Sequence, residues 1–229
     1  MVKEKKQLII KIIQYIGGML LVALGINITK LTKLGISAIS SVPRAAELIW
    51  GFTLGTATIT LHVIMIILQF VLLRKKFKPI NILGVFVGIA FGWMIDLTGS
   101  DPSAFGHMLL GFPIPQTYIM RLIYMAAGVI IVGTGVYIYL KPGWVPMASE
   151  GLAQAVAEVT GRPFGDGKTI VDITMAVIAV VLQIVFLGGL SSFTGSNVVV
   201  REGTIIAGIF IGQVAKFLGC LFDPEKRRK

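Results

Sequence analysis

The chain has 229 residues, 55% hydrophobic and only 14% charged, with a mean hydropathy of +0.86 and a formal net charge of +10. A soluble domain carries about 25% charged residues, so this composition excludes an ordinary soluble fold and fits one membrane domain of about six spanning helices. The positive charge does not indicate nucleic-acid binding, because it collects where apolar runs end: Lys3, Lys5 and Lys6, then Arg74, Lys75, Lys76 and Lys78, then Lys226, Arg227, Arg228 and Lys229. Such clusters read as cytoplasmic flanks that orient helices and touch anionic lipid headgroups.

The first predicted helix covers about residues 7–29, with Gly17, Gly18 and Gly25 allowing close packing. A short segment follows, from Leu34-Gly35 through Ser37, Ser40, Ser41, Arg44 and Glu47, closed by Gly51 and Gly55. The second span runs about 55–73 and stops at the Arg74–Lys78 cluster. The third covers about 80–98, with Gly84, Gly88 and Gly92 as a packing stripe for a neighbouring helix or a second copy of the chain. Residues 99–116 form a loop without Lys or Arg that carries Asp101, Pro102 and His107. The fourth span is about 118–140 and ends in Tyr137 and Tyr139, read as an interfacial aromatic pair. A second short segment, about 146–160, follows Pro142-Gly143 and carries Ser149, Glu150, Gln154 and Glu158. Gly161 to Gly165 reads as a turn. The fifth span is about 167–188, a Gly/Ser loop covers 188–196, and the sixth span is about 203–222.

Both short segments are too polar for lipid. A helix of about 15 residues is roughly 22 Å long, against a hydrocarbon core of about 30 Å. They read as half-helices or re-entrant segments, with interfacial amphipathic helices as the alternative. If neither crosses, the basic clusters fall on one side, with Lys30, Lys33, Arg44, Arg121 and Arg201 as dissenters, and both termini are cytoplasmic.

Aligning Gly35 with Gly143 pairs Ser41 with Ser149. After a two-residue gap, Gly51 meets Gly161, Gly55 meets Gly165 and His62 meets Asp172. Further on, Gly88 and Gly92 meet Gly208 and Gly212, and Asp96 meets Lys216. The expected fold is therefore all-α: one transmembrane domain over 1–229, built from repeat 1 (about 7–98), a connecting loop (99–117) and repeat 2 (about 118–222). Three crossings per unit make the second copy inverted, an architecture of many secondary transporters.

At these residues the sequence resembles the YczE/YyaS/YitT family of bacterial membrane proteins. The shared pattern is the glycine turn after the first helix, the short helix, the Gly-x-x-x-Gly turn, and a glycine-rich helix with an acid after it, here Gly92-Trp93-Met94-Ile95-Asp96. The resemblance implies a bacterial inner-membrane protein and little biochemistry. Lys216 departs from the pattern, so no acid role at that position transfers to the second unit.

Ionisable groups inside a membrane cost about 2.5–3.5 kcal/mol on insertion scales and usually face a cavity or a partner. On that ground His62, Asp96, Asp172 and Lys216 are candidate substrate-binding residues; the polar stripes of the short segments add Arg44, Glu47, Glu150 and Gln154, their amino ends add Ser41 and Ser149, and Trp93 is a candidate for stacking on a ligand. Free N–H groups at the half-helix amino ends favour an anionic group. Nucleotide-binding, metalloprotease and nucleophile-elbow motifs are absent from the sequence, so no catalysis, metal or cofactor is expected. The expectation is a secondary transporter of a small polar organic solute, with a carboxylate as one option, protons as a coupling ion, lipids as surroundings and a homodimer as one assembly. A substrate-capture subunit of an energy-coupling importer and a non-transporting accessory protein are the rivals.

Overall fold

A computed structural model describes residues 2–99, 109, 112–188 and 198–222, with the backbone alone for Val2 and Lys3. The basic tail from Lys226, the loop residues Asp101, Pro102 and His107, and most of the Gly/Ser loop lie outside the described residues. Eight α-helices occur among them: α1 (Val2–Leu31), α2 (Ala38–Trp50), α3 (Leu54–Leu73), α4 (Leu83–Thr98), α5 (Tyr118–Leu140), α6 (Ala148–Thr160), α7 (Phe164–Phe186) and α8 (Glu202–Phe222). Six helices, with α4 extended by the 3-10 turn Pro79–Ile82 that leads into it, are long and apolar enough to cross a membrane. No strand occurs among the described residues. Side chains facing outward, such as Ile67, Phe86, Ile119, Val185 and Phe217, are large and apolar, as lipid contact requires.

The succession long, short, long, long occurs twice. α2 and α6 have 13 residues each, about 20 Å at 1.5 Å per residue, too short to span. Both end on a left-handed glycine, Gly51 at φ 72° and Gly161 at φ 67°, which closes a helix with little strain. Neither lies flat against the outside. α2 packs on α3, α7 and α8, and α6 packs on α3, α4 and α7. Helix α7 begins at Phe164, inside the stretch the sequence assigns to a turn, because Pro163 supplies the extended N-cap backbone.

Helices α1 and α5 form the axis of the bundle, with α4 flanking α1 and α8 flanking α5. Their contact is built on small residues. A Cβ on Gly25 would meet the Gly128 carbonyl and Val132, and one on Gly135 would meet the Gly18 carbonyl. In lipid there is little hydrophobic drive between helices, so backbone approach at small residues supplies the packing. Buried Asn27 adds polar glue: its Nδ2 donates to the Ile95 carbonyl at 2.7 Å and to Thr98 Oγ1 at 3.0 Å, tying α1 to α4.

The stripe on α4 faces inward, onto α3. Gly88 lies under the His62 ring and Gly92 against Ile59 and the Gly55 carbonyl. The stripe thus serves a contact within the chain. Replacing Gly25 by Ala should lower the unfolding midpoint in detergent, by about 1–3 kcal/mol of overpacking. Gly17→Ala, with nothing near its added methyl, should leave the midpoint unchanged or slightly raised. Differential scanning fluorimetry of the two variants checks the contrast.

Candidate functional site

The amino ends of α2 and α6 converge on a cavity of about 290 Å³. The local sequence dictates this convergence. Gly35 (φ 95°) and Gly143 (φ 69°) turn the chain back in the left-handed region, which glycine reaches cheaply. Ser37 then caps α2, its Oγ accepting from Ser40 N at 3.4 Å and donating to Ser40 Oγ at 3.0 Å. On the α6 side, Ser149 Oγ donates to Glu150 Oε2 at 2.9 Å. Ser37, Ser40, Ser149 and Glu150 all line the cavity.

The spans supply the remaining walls. α1 and α5 contribute the apolar side with Val22, Ile26, Val132 and Val136. α3 and α4 contribute His62 and Phe91, whose rings stack 5.8 Å apart at an interplanar angle of 9°. α7 contributes Lys168 and Asp172, joined by a 2.8 Å ion pair. α8 contributes Gly208, Ile211 and Gly212.

Two buried polar atoms at this cavity have no hydrogen-bond partner of ordinary geometry. These are His62 Nδ1 and the Tyr139 hydroxyl, on side chains only 1% exposed. The Tyr139 hydroxyl faces the Glu150 carboxylate in a contact looser than an ordinary hydrogen bond, and nothing donates to its oxygen. Unpartnered buried polar atoms are costly and call for an explanation such as water or a ligand.

The family model described as Family of unknown function (DUF6198) matches residues 9–219. The chain belongs to that family. It is also 25% identical to the uncharacterized protein YyaS of Bacillus subtilis (strain 168) over 173 residues, 76% of this chain and 81% of the relative. That likeness agrees with the family resemblance read from the sequence. No solved structure matches the chain.

Of the residues singled out from sequence, this DUF6198 protein brings His62, Ser149, Glu150 and Asp172 together at the cavity. Gln154 lines a separate pocket of about 230 Å³, shared with Gln69, Lys76 and Glu158. Ser41 is fully buried and spends its hydroxyl on the Ala38 carbonyl at 2.5 Å. Arg44 and Glu47 are not free to line a path. Glu47 accepts from Arg44 Nη1 at 2.5 Å and from Lys30 Nζ, and all three side chains are at most 15% exposed. Asp96 works as a connector: its carboxylate accepts from Thr53 Oγ1 at 2.7 Å and Gly55 N at 2.8 Å, joining the end of α4 to the amino end of α3. Trp93 is 64% exposed on the outer face. Lys216 is also exposed and does not line the cavity.

Sequence reasoning missed Tyr139, Phe91 and Lys168. The sequence places Tyr139 at an interface, yet it is buried beside Tyr15, ring centroids 6.3 Å apart. The spacing Gly128, Val132, Gly135, Tyr139 would have shown it, since those positions share the helix face that packs on α1. Lys168 was legible as the i,i+4 partner of Asp172.

If Asp96 is a connector, its loss is a stability effect. Asp96→Ala should cost about 1–3 kcal/mol by orphaning the Gly55 N–H and Thr53 hydroxyl, and Asp96→Asn, which keeps an acceptor, should cost less. Thermal unfolding in detergent reads both. Equal midpoints for wild type and Asp96→Ala would remove the connector role.

Proposed function

We propose that this protein is a small secondary transporter that moves a polar organic solute across the bacterial inner membrane, with both termini cytoplasmic. In this reading the two four-helix units, α1–α4 and α5–α8, are inverted copies. What supports the relation is the recurrence of left-handed glycines around both short helices and the reciprocal packing. α2 meets α7 as α6 meets α3, and α2 meets α8 as α6 meets α4.

The observation that carries the proposal is an asymmetry between the units. α3 and α4 are closed upon each other, with Gly92 against the Gly55 carbonyl and Gly88 against His62. The glycines that align with them on α8, Gly208 and Gly212, have nothing within 4 Å of an added Cβ and border the cavity. The helix pair that is shut in one unit therefore stands apart in the other. Two copies of one motif, one shut and one open, are what alternating access about a central site calls for.

A pivot is also present. Gln183 Oε1 on α7 accepts from Val199 N at 3.1 Å and Val200 N at 2.8 Å, and Gly203 N donates to the Leu34 carbonyl at 2.8 Å. The amino end of α8 is held while the stretch around Gly208 and Gly212 has room to swing. Closing α8 onto α7 would oppose Gly208 to Asp172 and Gly212 to Thr169, as Gly88 opposes His62 and Gly92 opposes Ile59.

Counterflow in proteoliposomes with a metabolite panel tests the function. At least one solute should exchange, and Asp172→Asn, which breaks the pair with Lys168, should reduce the rate by roughly tenfold or more. If no solute binds or moves, the transporter reading falls. The motion has its own test. With Cys220→Ser as background, the double variant Thr169→Cys/Gly212→Cys should form an intramolecular disulfide under mild oxidation and lose exchange until reduced. Normal exchange with no disulfide under oxidation would discard the closure of α8.

A further inference from the structure

The carboxylates within the fold are not equivalent. Among the described residues, the half-buried acids are Glu47, Asp96, Glu150, Asp172 and Glu202. Glu47 has Lys30 and Arg44, Asp172 has Lys168, Glu202 has Arg201 at 2.6 Å, and Asp96 has the Gly55 N–H and Thr53 hydroxyl. Glu150 accepts from the hydroxyl of its neighbour Ser149 and lies against the Tyr139 hydroxyl, with no cation beside it. The 1% exposed Tyr139 hydroxyl faces it, and no group donates to that hydroxyl's oxygen. Two carboxylates and one lysine line the cavity, leaving one net negative charge. The first turn of α6 offsets part of it, but a helix end is no substitute for a counter-ion.

We propose that the cavity takes a small solute carrying a protonated amine, whose ammonium group sits against the Glu150 carboxylate and donates to the Tyr139 hydroxyl oxygen. An ammonium has three donors and no acceptor, so it suits a carboxylate without a cation and a hydroxyl oxygen to which nothing donates. The opposite wall, Val22, Ile26, Val132 and Val136, takes an apolar body, and the tyrosine ring beside it favours a cation. An engineered cavity of about 150 Å³ holds benzene, so 290 Å³ has room for an aromatic ring with a short aminoalkyl chain. This assignment departs from the sequence expectation of an anionic group. On α2 the Ser37 cap already engages an amino-end N–H, and on α6, whose amino end no side chain caps, Glu150 already places a negative charge in the first turn.

The inference rests on the transporter reading for its biological sense but is tested by binding alone. Three probes of nearly equal shape differ in charge: phenethylamine, phenylacetate and 2-phenylethanol. Calorimetry on the purified full chain in detergent at neutral pH should show phenethylamine bound at least roughly tenfold more tightly than phenylacetate. Glu150→Gln should weaken phenethylamine by roughly tenfold or more while leaving 2-phenylethanol unchanged. The ranking in the wild type needs no variant, so a poorly folded Glu150→Gln would not rescue or sink the idea. Tyr139→Phe, which removes one oxygen, should weaken the amine alone. Phenylacetate binding as well as phenethylamine, equal amine affinity in wild type and a folded Glu150→Gln, or no binding of any probe would overturn the amine site. Amine binding without uptake in proteoliposomes would instead sink the transporter and leave the site. Uptake of other solutes without amine preference would do the reverse.

Discussion

The constraint on which the whole arrangement depends is that lipid offers no hydrogen bonds. Each helix end leaves several backbone N–H or C=O groups without an intrahelical partner, and a lipid-exposed end costs several kcal/mol per group. A chain that places two 13-residue helices among its spans must therefore surround them with protein, or give their ends a polar space. Both solutions are used here. α2 and α6 are enclosed by neighbouring helices, their carboxyl ends are closed by the left-handed Gly51 and Gly161, and their amino ends open on one cavity. The cavity is thus a consequence of the broken helices as much as a place for a ligand.

Close approach at glycine does the rest of the architectural work. The α1–α5 contact and the α3–α4 contact both put backbone against backbone, where any side chain would wedge the helices apart. The same feature makes a joint reversible. Glycine faces carry no interlocking side chains, so two helices that meet through them separate without repacking a core. The α7–α8 side has the glycines without the contact, and its helix α8 is the least enclosed of the six spans, with 6% of its apolar window buried.

Much of this was legible in the sequence, for physical reasons that differ by residue. Apolar length marks spans, and Ser, Pro and Gly around residues 35–51 and 143–161 mark short helices, because these residues have strong local preferences. His62 and Asp172 were legible as polar positions within spans and Glu150 as one on a short helix, and the cavity borders all three. Roles set by distant partners were not. Nothing near Glu47 in sequence announces Lys30, seventeen positions earlier, and nothing near Asp96 announces Gly55. The same blindness produced the orientation dissenters. Lys30 and Arg44 pair with Glu47, Arg201 with Glu202, and Arg121 Nε donates to the Pro115 carbonyl at 3.4 Å.

The Lys30–Glu47–Arg44 group also shows why burial alone does not mark a binding residue. A buried ion pair is at best a modest net stabiliser, yet removing one member leaves an uncompensated charge worth about 3–5 kcal/mol. Such groups are held by the fold and resist exchange. A transport site needs the opposite: polar groups whose partners are incomplete, so that a ligand supplies what is missing, and weakly enough to leave again. Here the saturated carboxylates, Glu47 and Asp96, lie where helices must be joined. The incompletely partnered groups, Glu150, Tyr139 and His62, lie together where the broken helices meet. That separation between finished and unfinished polar contacts, rather than any motif, distinguishes the helix joints from the cavity wall in this protein.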